Sequence, residues 1–121
     1  MAIASALQRI GKDVFVPLFA AHSRVDLIAV ECNGTIRLQC KSARVMNGSL
    51  YFHTCSHTGN VPVDYRDQID AFAVYSPELD RVYLVPVRDA PVRGCTLRLD
   101  APRNGQLTGI RWAFDYEVGS P

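Results

Sequence analysis

Along the first ten residues the apolar positions Ile3, Leu7 and Ile10 recur at helical spacing with alanines between them, and Gly11 stands where such a helix would stop. The period then changes to two. "DVFVPLF" predicts a short strand, ended or bent at Pro17. "RVDLIAVEC" and "TIRLQCKSA" alternate as strands around Asn33-Gly34, the strongest short-range hairpin signal. "MNGS" supplies a further turn before "LYFHTCS", which reads as one strand, and residues 58–64 read as a loop. "DYRDQIDAF" predicts a short helix or an irregular crossover, and "AFAVYS" and "RVYLVPV" flank "PELD" as a second hairpin. The tail "CTLRLDAPRNGQLTGIRWAFDYEV" holds one strand and an Asn-Gly turn, and its last segment stays open. This order predicts an α+β (mixed α/β) domain: an N-terminal helix, then a central mixed β-sheet with a flanking helix.

The chain has 121 residues, which predicts a single domain over 1–121. Formal charge is only +1, so nucleic-acid contact would need a local basic patch rather than bulk charge. No apolar run is long enough to span a membrane, and the first residues lack the pattern of a secretory signal. Cys32, Cys40, Cys55 and Cys95 form no CxxC pair and read as small, reduced core residues of a cytoplasmic, intracellular protein.

The chemistry gathers in "IRLQCKSA". Gln39 and Lys41 are two residues apart on a strand and so share a face, while Cys40 points to the other. A two-residue Asn33-Gly34 loop would set 32 against 35, 28 against 39 and 26 against 41. Asp26, Gln39 and Lys41 then converge on one face, and Leu27, Ala29, Ile36, Leu38 and Cys40 fill the core face. One reading is a cross-strand ion pair of Asp26 and Lys41 with Gln39 beside it. The other is chemical: carboxylate and amide oxygens suit a hard cation such as Mg²⁺, and a lysine beside them suits a phosphodiester.

"VD" followed by "LQCKSA" resembles the PD-(D/E)XK nuclease superfamily, in which an Asp precedes a hairpin and the next strand carries Glu/Gln-x-Lys. The Gln variant, with "GKDVFVP" ahead, "IDAFAVYSPELDRVYLVPV" behind and "IRWAFDYE" near the end, is similar to the group I intron-associated endonuclease branch. The resemblance implies a restriction-endonuclease-like core and a metal-dependent DNA endonuclease. It implies Asp26 and Gln39 as metal ligands together with the backbone carbonyl of Cys40, and Lys41 as the catalytic lysine. Mg²⁺ is the implied cofactor, with Mn²⁺ as a substitute. Double-stranded DNA is the implied substrate and a homodimer or homotetramer the implied assembly. The alternative is a catalytically weak or inactive DNA-binding or regulatory protein of the same fold. The family's first helix also opens with a Glu that would fall just ahead of Met1, and no acid precedes Asp13. The resemblance therefore implies weak cleavage, or a natural chain that starts upstream.

Arg24 and Arg44 flank the candidate site and His57 lies nearby, so these three are the DNA-contact candidates. His53, Cys55 and His57 at period two would share one strand face. Strand spacing of about 7 Å between alternate residues is poor for tetrahedral zinc. Asp64, Asp67 and Asp70 read as solvated or capping carboxylates, with Asp70 structural. Arginines 81, 88, 93, 98, 103 and 111 suit either a DNA-facing side or a solvated surface. Trp112 and Tyr116 read as core.

Overall fold

The structure, a computed structural model, describes residues 2–18, 24–58, 61–64, 68–100, 105 and 109–121, and the side chains of 55–58 and 61–64 lie outside the description. Among these residues a helix α1 (Ala2–Arg9) precedes β1 (Asp13–Phe15), β2 (Leu27–Glu31), β3 (Gly34–Ser42), β4 (Arg44–Met46) and β5 (Ser49–His53). Then come β6 (Cys55–Thr58), β7 (Val61–Asp64), β8 (Ala71–Ser76), β9 (Arg81–Pro86), β10 (Gly94–Arg98) and β11 (Glu117–Gly119). The main sheet has six strands in the order β1-β2-β3-β8-β9-β11. A three-stranded sheet β10-β5-β4 and a β6-β7 ribbon accompany it. No helix is long and apolar enough to cross a membrane.

Helix α1 ends as its sequence predicts. Gly11 takes φ +86°, its N–H reaches Gln8 O at 3.0 Å, and the Lys12 N–H reaches Leu7 O at 3.1 Å. That pair of bonds is a Schellman cap. Ile3, Ala6 and Leu7 are buried, whereas Ile10, expected on the same stripe, lies past the last turn and is exposed.

The β2–β3 hairpin forms with a corrected register. Glu31 pairs with Gly34 and Leu27 with Leu38, so the turn is Cys32-Asn33 rather than Asn33-Gly34. A type I′ hairpin turn needs positive φ at both central residues. Asn47 (φ +50°) and Gly48 (φ +75°) meet that demand and close β4 onto β5, as expected for "MNGS". Asn33 does not take positive φ, and Gly34, at φ +134°, becomes the first residue of β3. The slip moves every partner by two residues, so faces are conserved while pairs change. One step beyond Leu27–Leu38, Asp26 now lies toward Gln39 instead of Lys41.

Two further expectations need correction, and a third falls to its irregular-crossover alternative among the described residues. "LYFHTCS" is not one strand, because it breaks at Thr54 between β5 and β6. Buried Thr54 is drawn aside: its hydroxyl donates to Pro91 O and its N–H to Arg93 O at 3.2 Å. Residues 58–64 contain a paired ribbon rather than only a loop, with Thr58 against Val61 and Cys55 against Asp64. In "DYRDQIDAF" no helix forms among the described residues; residues 65–67 fall outside them. The β8–β9 hairpin forms as expected, from Ala71–Pro86 to Ser76–Arg81.

Both faces of the main sheet are buried at its centre, not one. Leu27, Ala29, Leu38 and Ala73 pack under Ile3 and Leu7 of α1. Phe72, Val74, Tyr83 and Val85 pack against Leu50, Phe52, Cys95 and Leu97 of the smaller sheet. Phe52 and Phe72 meet edge-on at 5.7 Å. The β3–β8 pairing is parallel, and Arg37 and Asp70 fasten its start. The Arg37 N–H donates to Asp70 Oδ2 at 2.7 Å, its Nε and Nη2 donate to the same carboxylate at 3.2 Å, and Asp70 N–H returns a bond to Arg37 O at 2.9 Å. These hydrogen bonds from Arg37 hold the Asp70 carboxyl below its usual range. The contribution is present at neutral pH and is lost as acid protonates Asp70. The structural role expected of Asp70 is therefore seen.

Gly94 carries a packing demand of its own. The Tyr51 ring lies across it, and a Cβ on Gly94 would sit 2.2 Å from Tyr51 Oη and 2.7 Å from Cζ. Gly94→Ala is expected to destabilise the fold by about 1 kcal/mol through overpacking. In a Tyr51→Ala background the same change should be neutral or stabilising, because alanine orders a strand better than glycine. Urea denaturation of the four proteins of this cycle measures the reversal.

Candidate functional site

The geometry of β3 sets the site. β2 covers β3 only from Gly34 to Leu38, while β8 runs beside it from Leu38 to Ser42. Among the described residues no ladder strand covers the β2 edge of β3 beyond Leu38, and Asp26 takes that place. The Asp26 N–H donates to Leu38 O at 2.8 Å. Its Oδ2 accepts from Gln39 Nε2 at 2.7 Å and from the backbone N–H of Cys40 at 2.9 Å. An extended residue presents N–H and C=O on the same edge, so the Cys40 carbonyl faces the Asp26 side as well.

Asp26 is exposed and Gln39 half-buried. Gln39 Oε1, however, is itself buried and has no hydrogen-bond partner among the described residues. A buried carbonyl oxygen left unpaired costs about 1–3 kcal/mol. Turning the amide over would not help, because Oε1 would then face the Asp26 oxygen. The Asp26 bond fixes the amide and leaves Oε1 as an unpaired acceptor among the described residues. This donor set, a carboxylate, an amide oxygen and a main-chain carbonyl, fits a hard cation that takes oxygen ligands.

Lys41 is half-buried and borders a cleft of about 240 Å³ together with Ala2, Ile3, Leu27, Cys40, Ser42 and Tyr75. The first turn of α1 thus opens onto the same space as Cys40 and Lys41. Nothing in the sequence pattern alone joined these two segments. Arg24 is half-buried two residues before Asp26, and Arg44 is exposed three residues after Lys41. The side chain of His57 lies outside the described residues.

Other candidates resolve individually. His53, on β5, is exposed and edge-on to Tyr51 at 5.4 Å, while Cys55 and His57 belong to a different strand and sheet. The shared strand face expected for the three therefore does not exist. Several of the arginines have structural partners: Arg81 lies 3.9 Å from Glu117, Arg98 donates to Ser49 Oγ at 2.8 Å, and Arg111 donates to Asp89 O at 2.8 Å. Arg103 lies outside the described residues. Tyr116 packs against the core as expected, whereas half-buried Trp112 stacks on exposed Phe114 at 5.8 Å. The Arg37–Asp70 fastening went unforeseen, because its partners are far apart in sequence and meet only through the parallel pairing.

Cys40 sits inside this arrangement as an inert thiol. Burial, aided by the Asp26 charge, pushes its pKa up to about 11, and burial does the same for Cys95. At pH 8 a thiol of pKa about 11 is thiolate in roughly one molecule in a thousand. Cys32, expected in the core, is exposed at the β2–β3 turn, so alkylation followed by peptide mass spectrometry should label it well ahead of Cys40 and Cys95. Asp26→Asn should speed labelling of Cys40 and leave Cys95 unchanged.

Comparison with known proteins places this geometry. The profile of the family described as PD-(D/E)XK endonuclease matches residues 1–119. Among solved structures the fold is similar to that of a bacterial homing endonuclease, I-Ssp6803I, with a TM-score of 0.66 and 19% identity over 94% of this chain and 77% of that one. A likeness at that identity concerns the fold. Comparison with curated proteins finds no match. With nearly the whole chain matched, and the Asp and Gln-x-Lys positions held at one opening of a restriction-endonuclease-like sheet, the protein belongs to the PD-(D/E)XK endonuclease family.

Proposed function

We propose that this chain is a Mg²⁺-dependent DNA endonuclease, with Mn²⁺ as a substitute, that hydrolyses phosphodiester bonds of double-stranded DNA at Asp26, Gln39 and Lys41. The observation that carries the reading is Gln39 Oε1, a buried acceptor without a partner among the described residues, turned away from Asp26 because the amide nitrogen takes the Asp26 bond. Asp26, Gln39 Oε1 and the Cys40 carbonyl would hold the ion. When bound, it would supply positive charge to the phosphate as its own negative charge builds. Asp26 orients Gln39 and tethers Cys40, which keeps the oxygen donors on one edge. The Lys41 ammonium, on the same strand face as Gln39, offsets charge on the phosphate and orients the attacking water. Arg24, Arg44 and His57 are the phosphate contacts proposed around it. The intron-associated branch, with its Gln in the motif, fits residues 36–43 as they stand. Cutting both strands with one site per chain calls for a homodimer or homotetramer.

Lys41→Ala is expected to lower the cleavage rate by about two to four orders of magnitude, the span for losing an acid–base or charge-stabilising group. Duplex binding should persist, since one cation among many phosphate contacts carries little affinity. Plasmid cleavage in Mg²⁺ against EDTA, with filter binding in parallel, reads both. Unaltered cleavage by the variant would remove Lys41 from the chemistry. Binding without cleavage by the wild type, under every divalent ion tried, would favour the DNA-binding alternative. That outcome has a physical motive, since Asp26 is the one side-chain charge assigned to the ion.

Asp26→Asn should weaken Mg²⁺ binding in calorimetric titration, since the ion loses that charge. Equal affinity in the two proteins would return Asp26 to a purely structural role on the β3 edge.

A further inference from the structure

The three-stranded sheet β10-β5-β4 has one face in the core and one in solvent. Val45, Leu50, Phe52, Cys95 and Leu97 point inward. By alternation the outer face carries Arg44, Met46, Tyr51, His53, Thr96 and Arg98. The register aligns Arg44, Tyr51 and Thr96 across the three strands, with Met46, Ser49 and Arg98 as the next row. Arg44, Met46, His53 and Thr96 are exposed.

The charge on this sheet has one sign. Residues 44–46, 49–53 and 94–98 contain two arginines and a histidine and no carboxylate. Arg98 spends its donors on neutral acceptors: Ser49 Oγ at 2.8 Å, Asp100 O at 3.1 Å and Asn47 O at 3.4 Å. Among the described residues acids stand only at the margins, where Glu78 accepts from the Val45 N–H and Asp100 borders the Gly48 turn. The centre of the face is low, because Gly94 leaves room for the Tyr51 ring to lie across it, and Met46, Ser49, Tyr51 and Thr96 line a shallow, open depression of about 270 Å³. Position matters too, since β3 passes into β4 through Ala43, so Arg44 follows Lys41 by three residues.

We infer that the outer face of β10-β5-β4 is the surface on which duplex DNA lies, with Arg44 toward phosphates and Tyr51 and Thr96 toward the groove. The inference rests on the nuclease reading above and adds to it the face that takes the substrate. Three strands about 4.8 Å apart span roughly 10 Å, and the major groove of B-form DNA is about 12 Å wide. Phosphates beside such a sheet favour arginine and exclude carboxylates, which is the composition seen.

The test uses the full chain and a fluorescein-labelled duplex of random sequence, read by anisotropy in EDTA over a range of salt. Arg44→Glu and Thr96→Glu should each weaken binding about tenfold. Thr96→Lys should tighten binding and steepen the salt dependence by about one unit of slope, a gain that damage to the fold would not produce. Arg88→Glu, on the well-exposed 3₁₀ turn after β9, serves as the matched charge reversal off the sheet and should bind as the wild type does. Unchanged binding by both Thr96 variants, or an equal loss in Arg88→Glu and Arg44→Glu, overturns the assignment of the face. If the wild type meanwhile binds and cleaves, the nuclease reading stands without it. A wild type that binds no duplex overturns both.

Discussion

The handover of partners along β3 is the constraint on which the site depends. Up to Leu38 the strand is held by β2, antiparallel, and from Leu38 onward it is held by β8, parallel. Had β2 run as far as β3, the Cys40 N–H and C=O would be spent on a ladder. Because β2 begins at Leu27, no described strand covers that edge, and Asp26 meets the Cys40 N–H with a carboxylate instead of a main-chain carbonyl. The Arg37–Asp70 fastening stands at this handover, one residue before Leu38 and one before Ala71. Both side chains are substantially exposed, and such pairs contribute little to stability. Their grip on both main chains bears instead on the register that brings Gln39 and Lys41 to the opening.

Much of this was legible, and its limits follow from turn chemistry and sequence distance. Alternation in "RVDLIAVEC" and "TIRLQCKSA" placed Asp26, Gln39 and Lys41 on one face, and a two-residue slip left that placement intact. The slip itself was not legible, because Asn33-Gly34 and Asn47-Gly48 offer the same dipeptide. They differ in backbone: Asn47 enters the left-handed region and Asn33 does not. I′ turns require that conformation at both residues, so the dipeptide is a permission and not a guarantee.

The parallel pairing of β3 with β8, the break at Thr54 and the second buried face of the sheet share one cause. Each depends on contacts between segments remote in sequence, which local periodicity does not encode. Gln39 is aligned with Phe72 and Lys41 with Val74, so their face is also the one that packs beneath the smaller sheet. A polar pair at the rim of a buried layer is desolvated on one side and open on the other. That is why Gln39 is half-buried while its Oε1 is wholly so.

In the proposed metal site, the amide at position 39 sets the electrostatics before a cation binds as much as after. A glutamate there would set two carboxylates at hydrogen-bond distance, and like charges that close do not both stay ionised without a cation between them. Glutamine removes the conflict, since its Nε2 donates to Asp26 and holds the two side chains together at 2.7 Å. The arrangement is therefore assembled before any cation arrives, and little reorganisation remains for binding to drive. The same neutrality lowers the attraction available to a divalent ion, which meets one formal charge where a carboxylate pair would offer two. Preorganisation and affinity thus pull in opposite directions at this residue. The balance favours a site that keeps its shape when unoccupied, with the Oε1 atom bearing the desolvation cost of waiting.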